Sequence, residues 1–278
     1  MLWILLFICM IGWEPGQGNQ CERILNLTNT TSSQSSNYVD NNLNYSSARA
    51  TDGDVSTCSN TMELHKSWWR LDLHGVYNIS CISIYNIKED HTSMKNSKIY
   101  IGNSRKDNGT TNTEVCNISK IKVTRNNDFK LDHPAVGRYI IVTIQNDKKP
   151  VILCEVNITG TEKESPFVLI KKKMMWEDAL YYCRDNYEDL ASVLNEDAQA
   201  FAELEAEKAD TDFVWLGLHF TCTLQFWFWV DDHRLQFKRW HNDTETADCA
   251  MSGAMEKRED HYWVVKSDFD AYNFICAK

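Results

Sequence analysis

The sequence predicts two domains of different class, an all-β half followed by an α+β half. Three observations carry this expectation. The 278 residues are enough for two domains of ordinary size. Between residues 25 and 160 the apolar residues fall in short β-rich runs broken by Asn, Asp, Gly and Ser turns. Beyond residue 166 the spacing becomes helical and then returns to strands. With 43% hydrophobic and 24% charged residues, the composition is that of a globular chain and excludes wholesale disorder.

Taken in order, Leu2 to Trp13 is an uncharged apolar run followed by Glu14-Pro15-Gly16-Gln17-Gly18, where the small residues suit a signal peptidase. Residues 1–18 are therefore expected to be a signal peptide. The run falls short of the roughly 20 apolar residues of a spanning helix, so no membrane span is expected. The all-β domain is expected over 21–160, on runs such as Ser80-Cys81-Ile82-Ser83-Ile84-Tyr85, Ile99-Tyr100-Ile101 and Tyr139-Ile140-Ile141-Val142-Thr143-Ile144. The polar stretch 161–166 reads as a linker, and 167–278 as the second domain. There Trp176, Ala179, Leu180, Cys183 and Tyr187 share one helical face, and a second helix starts after Asn195, a capping residue followed by Glu196 and Asp197 in the first turn. Phe213-Val214-Trp215-Leu216 and Phe226-Trp227-Phe228-Trp229-Val230 read as strands, the second with core aromatics on alternating faces.

The net charge of −10 leaves no surface for neutralising phosphates, so a nucleic-acid partner is not expected. Ten cysteines without a CxxC or CxxH pair point to a disulfide framework in an oxidising compartment. Sequons at Asn26, Asn29, Asn44, Asn78, Asn108, Asn117, Asn157 and Asn242 agree with a secreted glycoprotein. No Gly-x-Ser-x-Gly elbow, His-Glu-x-x-His or phosphate-cradling glycine loop is present, and Asp231-Asp232 and Glu203/Glu205/Glu207 read as a turn and a solvated helix face. Enzymatic function is not expected.

Ala50-Thr51-Asp52-Gly53-Asp54, Ser56-Thr57-Cys58, Trp68-Trp69-Arg70-Leu71-Asp72-Leu73, Ile101-Gly102-Asn103-Ser104, Gly137-Arg138-Tyr139 and Leu153-Cys154-Glu155-Val156 resemble the fucolectin (F-type lectin) family in order and spacing. The resemblance implies a discoidin-type jelly-roll β-sandwich, a structural calcium and a fucose pocket. Calcium takes about six to eight oxygens. The turn at Asp52-Gly53-Asp54 can turn two carboxylates inward, and a Cys58–Cys154 bridge would bring Thr57 and Glu155 beside it, with the carbonyls of Arg49 and Cys154 completing the set. The family reads its sugar with one His and two Arg. Those positions hold Asn60, Ile87 and, approximately, Met94, while an acidic residue persists as Glu89 and the family's adjacent cysteine pair is replaced by Asp90-His91. The ordinary fucose site is expected to be lost unless Lys88 or Lys95 substitutes.

Trp176-Glu177-Asp178-Ala179-Leu180-Tyr181-Tyr182-Cys183-Arg184, Val214-Trp215-Leu216-Gly217-Leu218, Trp240, Asp248-Cys249 and Phe274-Ile275-Cys276 are similar to the C-type lectin family, most of all to its fish members. This implies an α+β C-type fold with a Cys183–Cys276 bridge. The Glu-Pro-Asn or Gln-Pro-Asp loop and the Trp-Asn-Asp strand of sugar-binding members are absent. Asp243, Glu245 and Asp248 are the only acidic residues between Trp240 and Cys249. The family's partner for Cys249 would fall near Asp268, so Cys222–Cys249 is conceivable, as is Cys81–Cys116, leaving Cys21 for an intermolecular bridge in a disulfide-linked oligomer. The two resemblances imply a calcium-containing recognition protein, innate immune glycan recognition included, whose ligands are glycans or glycoproteins. The competing reading is an adhesion or scaffold protein with protein partners.

Overall fold

The computed structural model describes residues 21, 24–87, 94–119, 121–145, 147–241, 245, 247–258 and 260–278. The expected signal peptide, Cys9, the loop residues Lys88, Glu89, Asp90 and His91, and Asn242 and Asp243 lie outside the described residues. The chain divides into two compact units, Met1–Lys163 and Glu164–Lys278. Thr161 and Glu162, read from the sequence as linker, instead continue the strand Glu155–Glu162 and pair with Asn78 and Tyr77.

Among the described residues the regular structure of the first unit is β apart from short 3-10 turns. Two long antiparallel strands, Ser67–Asn86 and Arg125–Ile144, form the centre of its six-stranded sheet. Trp69, Leu71 and Leu73 face the core on odd positions, whereas Ile82 and Ile84 face it on even ones. Ile79 still faces it on an odd position, so the register break between Ile79 and Cys81 makes this change of parity, since a one-residue shift turns a strand's faces over. The hydrophobic side chains of both ends thereby reach one core, together with Ile99, Ile101, Phe129, Ile140, Val142 and Ile158. Arg138, 3% exposed, is held by a bidentate pair to Asp72 at 2.8 Å for both bonds. At Gly137 a Cβ would stand 2.6 Å from the Gly102 amide nitrogen, so the Gly-Arg-Tyr motif marks a close strand contact.

Cys58 is bonded to Cys154, and Cys21 to Cys81. The expectation that Cys21 bridges chains is therefore corrected. The strand bulge at Ile79/Cys81 turns Cys81 toward the N-terminal segment, and Cys116 is buried in the sandwich core instead of pairing with Cys81.

The second unit is α+β, as the sequence predicts. The helix Trp176–Asn186 buries Trp176, Ala179, Leu180 and Cys183, while Tyr187 closes it as an exposed C-cap. The helix Glu196–Ala206 is capped by Asn195, whose Oδ1 accepts from the Ala198 amide at 2.9 Å. Phe167–Met174 pairs with the last strand, Tyr272–Ala277, and Cys183–Cys276 ties the first helix to that strand. The central strand Phe213–Thr221 bonds on one side to Met251–Glu256 and carries the hairpin partner Phe226–Trp229. Cys222–Cys249 links the hairpin turn to the segment before Met251.

Candidate functional site

In the first unit the acidic turn is held by its own backbone chemistry. Gly53 has φ +81°, a conformation that favours glycine, and its amide donates to Glu155 Oε2 at 3.1 Å. The Thr57 hydroxyl donates to Asp52 Oδ2 at 2.6 Å and stands 3.3 Å from the Asp54 carbonyl and 3.4 Å from the Arg49 carbonyl. The Arg49 guanidinium turns away, 5.0 Å from the Tyr45 ring, so only its carbonyl faces the turn. Asp52 is bonded to Thr57 within the turn, and the charges of both Asp52 and Asp54 reach Glu155. Asp54 Oδ1 accepts from the Ser56 amide and hydroxyl at 2.9 and 2.6 Å, and these bonds lower its pKa.

Glu155 is 7% exposed, and burial pushes its pKa up to about 7, opposed by the Gly53 hydrogen bond and reinforced by the charges of Asp52 and Asp54. Among the described residues no three His, Cys, Asp or Glu side chains form a metal-holding group. A cation bound here would have to complete its shell from hydroxyl and carbonyl oxygens, the hard ligands that calcium takes. Were calcium bound there, Asp52, Thr57 and Glu155 would supply side-chain oxygens and Arg49 and Asp54 their carbonyls. Bound calcium would supply the positive charge that the buried Glu155 lacks.

The positions matched to the family's sugar-contacting residues are differently placed. Asn60, in the strand Ser59–Asn60, is partly buried and leaves its Oδ1 without a hydrogen-bond partner. Beside it, Gln34 Nε2 donates to the Asn60 carbonyl at 3.2 Å, and Gln34 Oε1 is likewise buried and unpartnered. The sequence reading missed Gln34, because its side chain reaches Asn60 across 26 residues from a strand that pairs elsewhere. Ile87 packs on Cys58, Ile152 and Cys154. Met94, 1% exposed, belongs to the sandwich core, so the second Arg position, as counted, is a residue that cannot touch a ligand.

In the second unit Glu245 is ion-paired with Lys238 at 2.7 Å, and Asp248 is exposed. The aromatic strand divides by face. Trp227 and Trp229 are buried, but Phe226 is 48% exposed and Phe228 only half-buried, which corrects the reading of the whole run as core. A second feature absent from the sequence reading is a polar chain in which the Ser252 hydroxyl donates to Asp268 Oδ1 at 2.6 Å and lies 2.9 Å from His219 Nδ1. Asp268 thus stands where the C-type resemblance would put a cysteine.

Residues 49–142 match the family model described as a NedA-like, galactose-binding domain, and residues 172–278 match the Lectin C-type domain. Fucolectin-1 of Anguilla japonica is 32% identical over 114 residues, 40% of this chain and 63% of that protein. Fucolectin of Anguilla anguilla is 27% identical over 127 residues, 45% of this chain and 76% of that one. The chain spans about three fifths of the length of the Anguilla japonica relatives Fucolectin-1 and Fucolectin-5, at 63% and 59%. A crystal structure of an F-lectin from Morone saxatilis serum superposes with a TM-score of 0.46 at 25% identity, covering 56% of this chain and 57% of that one.

Proposed function

We propose that this chain, which joins a galactose-binding, fucolectin-like domain to a C-type lectin domain, is a secreted, calcium-stabilised glycan-recognition protein in which the sugar positions of both families have diverged. The observation that carries the reading is the pairing of two lectin domains in one chain. The disulfides, and the lack of any described helix long and apolar enough to cross a membrane, fit an extracellular setting. Innate immune recognition rests on the lectin pairing alone. Of the sequons, Asn26, Asn29, Asn44 and Asn108 are exposed, as glycan attachment requires.

A second reading, adhesion through protein partners, is favoured by the surroundings of Asn60. Tyr38, whose amide donates to the Asn60 carbonyl at 2.9 Å, is 42% exposed, and Met62 and Leu64, at 46% and 41%, follow Asn60 in sequence. A glycan array probed with the full chain, with and without chelator, separates the two. Glycan binding supports recognition of sugars, and a blank array supports protein contacts.

A further inference from the structure

We infer that the C-type unit holds a neutral oligosaccharide, without a metal, in the open cleft between its Phe226–Trp229 hairpin and Asp268. This rests on the glycan-recognition reading above and needs neither family's metal. The cleft has a volume of about 1290 Å³ and runs along residues 219–222 and 224–228, past 232–235, to Glu245, Ala247, Ala250 and Asp268. Single small molecules usually occupy about 300–1,000 Å³, so there is room for more than one sugar ring.

Its wall is a stair of rings. The register His219↔Phe228 and Thr221↔Phe226 puts these four side chains on one face of the hairpin. Phe226 packs edge-on to Phe228 at 6.1 Å, Phe228 edge-on to His219 at 5.7 Å, and His219 stacks on Trp176 at 4.5 Å. The outermost ring, Phe226, is open to solvent and offers an apolar platform to the C–H face of a pyranose.

The floor offers acceptors. Because Ser252 gives its proton to Asp268 Oδ1, His219 must donate from Nδ1 to Ser252, which leaves Nε2 as an acceptor. Burial lowers the pKa of His219 and favours the neutral ring despite Asp268. Asp268 Oδ2 lies 3.9 Å from His219 Nδ1, too far for a hydrogen bond, and no Lys or Arg among the described residues pairs with this carboxylate. Sugar hydroxyls supply the donors that these atoms lack. At the rim Gln225 and Arg234 supply donors in return.

Charge decides between sugars. Glu245 is taken by Lys238 and His233 by Asp231, so Asp232 and Asp268 face Arg234, and the excess of carboxylate disfavours sialylated chains. The Cys222–Cys249 bridge joins the two walls, so little ordering remains to be done on binding.

The test uses the full chain and its Phe226→Ala and Asp268→Asn variants on an array of neutral and sialylated oligosaccharides, in calcium and in EDTA, with melting temperatures measured alongside. Neutral glycans should be bound in both buffers. Each variant should lower that signal by about tenfold, roughly 1.4 kcal/mol, with its melting temperature unchanged. Binding that survives in both variants, or that EDTA abolishes in the unsubstituted chain, overturns the cleft while leaving glycan recognition standing. An array on which no glycan is bound overturns both.

Discussion

The Gly53 amide meets the Glu155 carboxylate at 3.1 Å across 102 residues of chain, and this contact closes the acidic turn of the first unit onto the strand that follows Cys154. One hydrogen bond offsets only part of what it costs to keep a carboxylate 7% exposed beside two others. A cation bound there would relieve the remainder.

Calcium should therefore raise the melting temperature of the full chain. At about a hundred times its Kd a ligand that binds only the folded state stabilises it by roughly 2.7 kcal/mol. Asp52→Ala and Glu155→Gln should each remove most of that rise. Scanning calorimetry in calcium and in EDTA measures it, and identical curves in the two buffers would refute the site.

The same carboxylate gives the metal-free protein a pH signature. The pKa of Glu155 stands at about 7 in the folded chain, above its ordinary 4.5, so the folded state holds the proton more tightly than the unfolded one. Its contribution is complete below about 4.5 and is lost as pH rises to about 7. Glu155→Gln should flatten this fall, and calcium should bind more tightly across the same window as the proton leaves. Melting in EDTA from pH 4 to 8 checks the sign. A difference between the two proteins that does not change with pH would contradict it.

The Cys21–Cys81 bridge should appear as a linked peptide pair in a non-reducing digest, and the chain should run as a monomer on non-reducing electrophoresis. Closing a loop over a separation of 60 residues stabilises by about 4 kcal/mol in the chain-entropy model, so Cys21→Ser should lower the melting temperature measurably. A dimer band lost in Cys21→Ser would restore the intermolecular reading.

Asp72→Ala should cost about 3–5 kcal/mol, because it leaves the Arg138 guanidinium, 4% exposed, without its bidentate partner. Urea denaturation reads this directly, and a loss below about 1 kcal/mol would show that water or another group replaces the carboxylate.

What the sequence made legible was whatever lies within one element. The helical spacing from Trp176 to Cys183 and the Asn195 cap are local and appear as expected. The features it hid depend on register between distant strands. His219 and Ser252 are 33 residues apart and meet only because their strands pair, and Gln34 reaches Asn60 across 26 residues. Counting along the chain could not tell that Met94 lies in the core, for the same reason. Sequence distance across a loop does not tell which side chain turns into the sandwich and which turns out.

The unsubstituted protein should not be retained on fucose resin. A shallow sugar site depends on charged donors, and each hydrogen bond to a charged group contributes about 1.5–3 kcal/mol. A monosaccharide affinity near about 1 mM amounts to only about 4 kcal/mol, so losing two such donors leaves essentially nothing. Ile87 is packed on the Cys58–Cys154 bridge and Met94 lies inside the core, so neither can donate, and a rotamer change cannot bring Met94 to the surface. Asn60 and Gln34 hold buried, unpartnered amide oxygens, but these accept and do not donate. Substituting Asn60→His alone should not restore retention, because it returns one donor of three. Calcium-dependent retention of the unsubstituted chain, released by free fucose, would show that other cations, Lys95 among the described residues, have taken over the role.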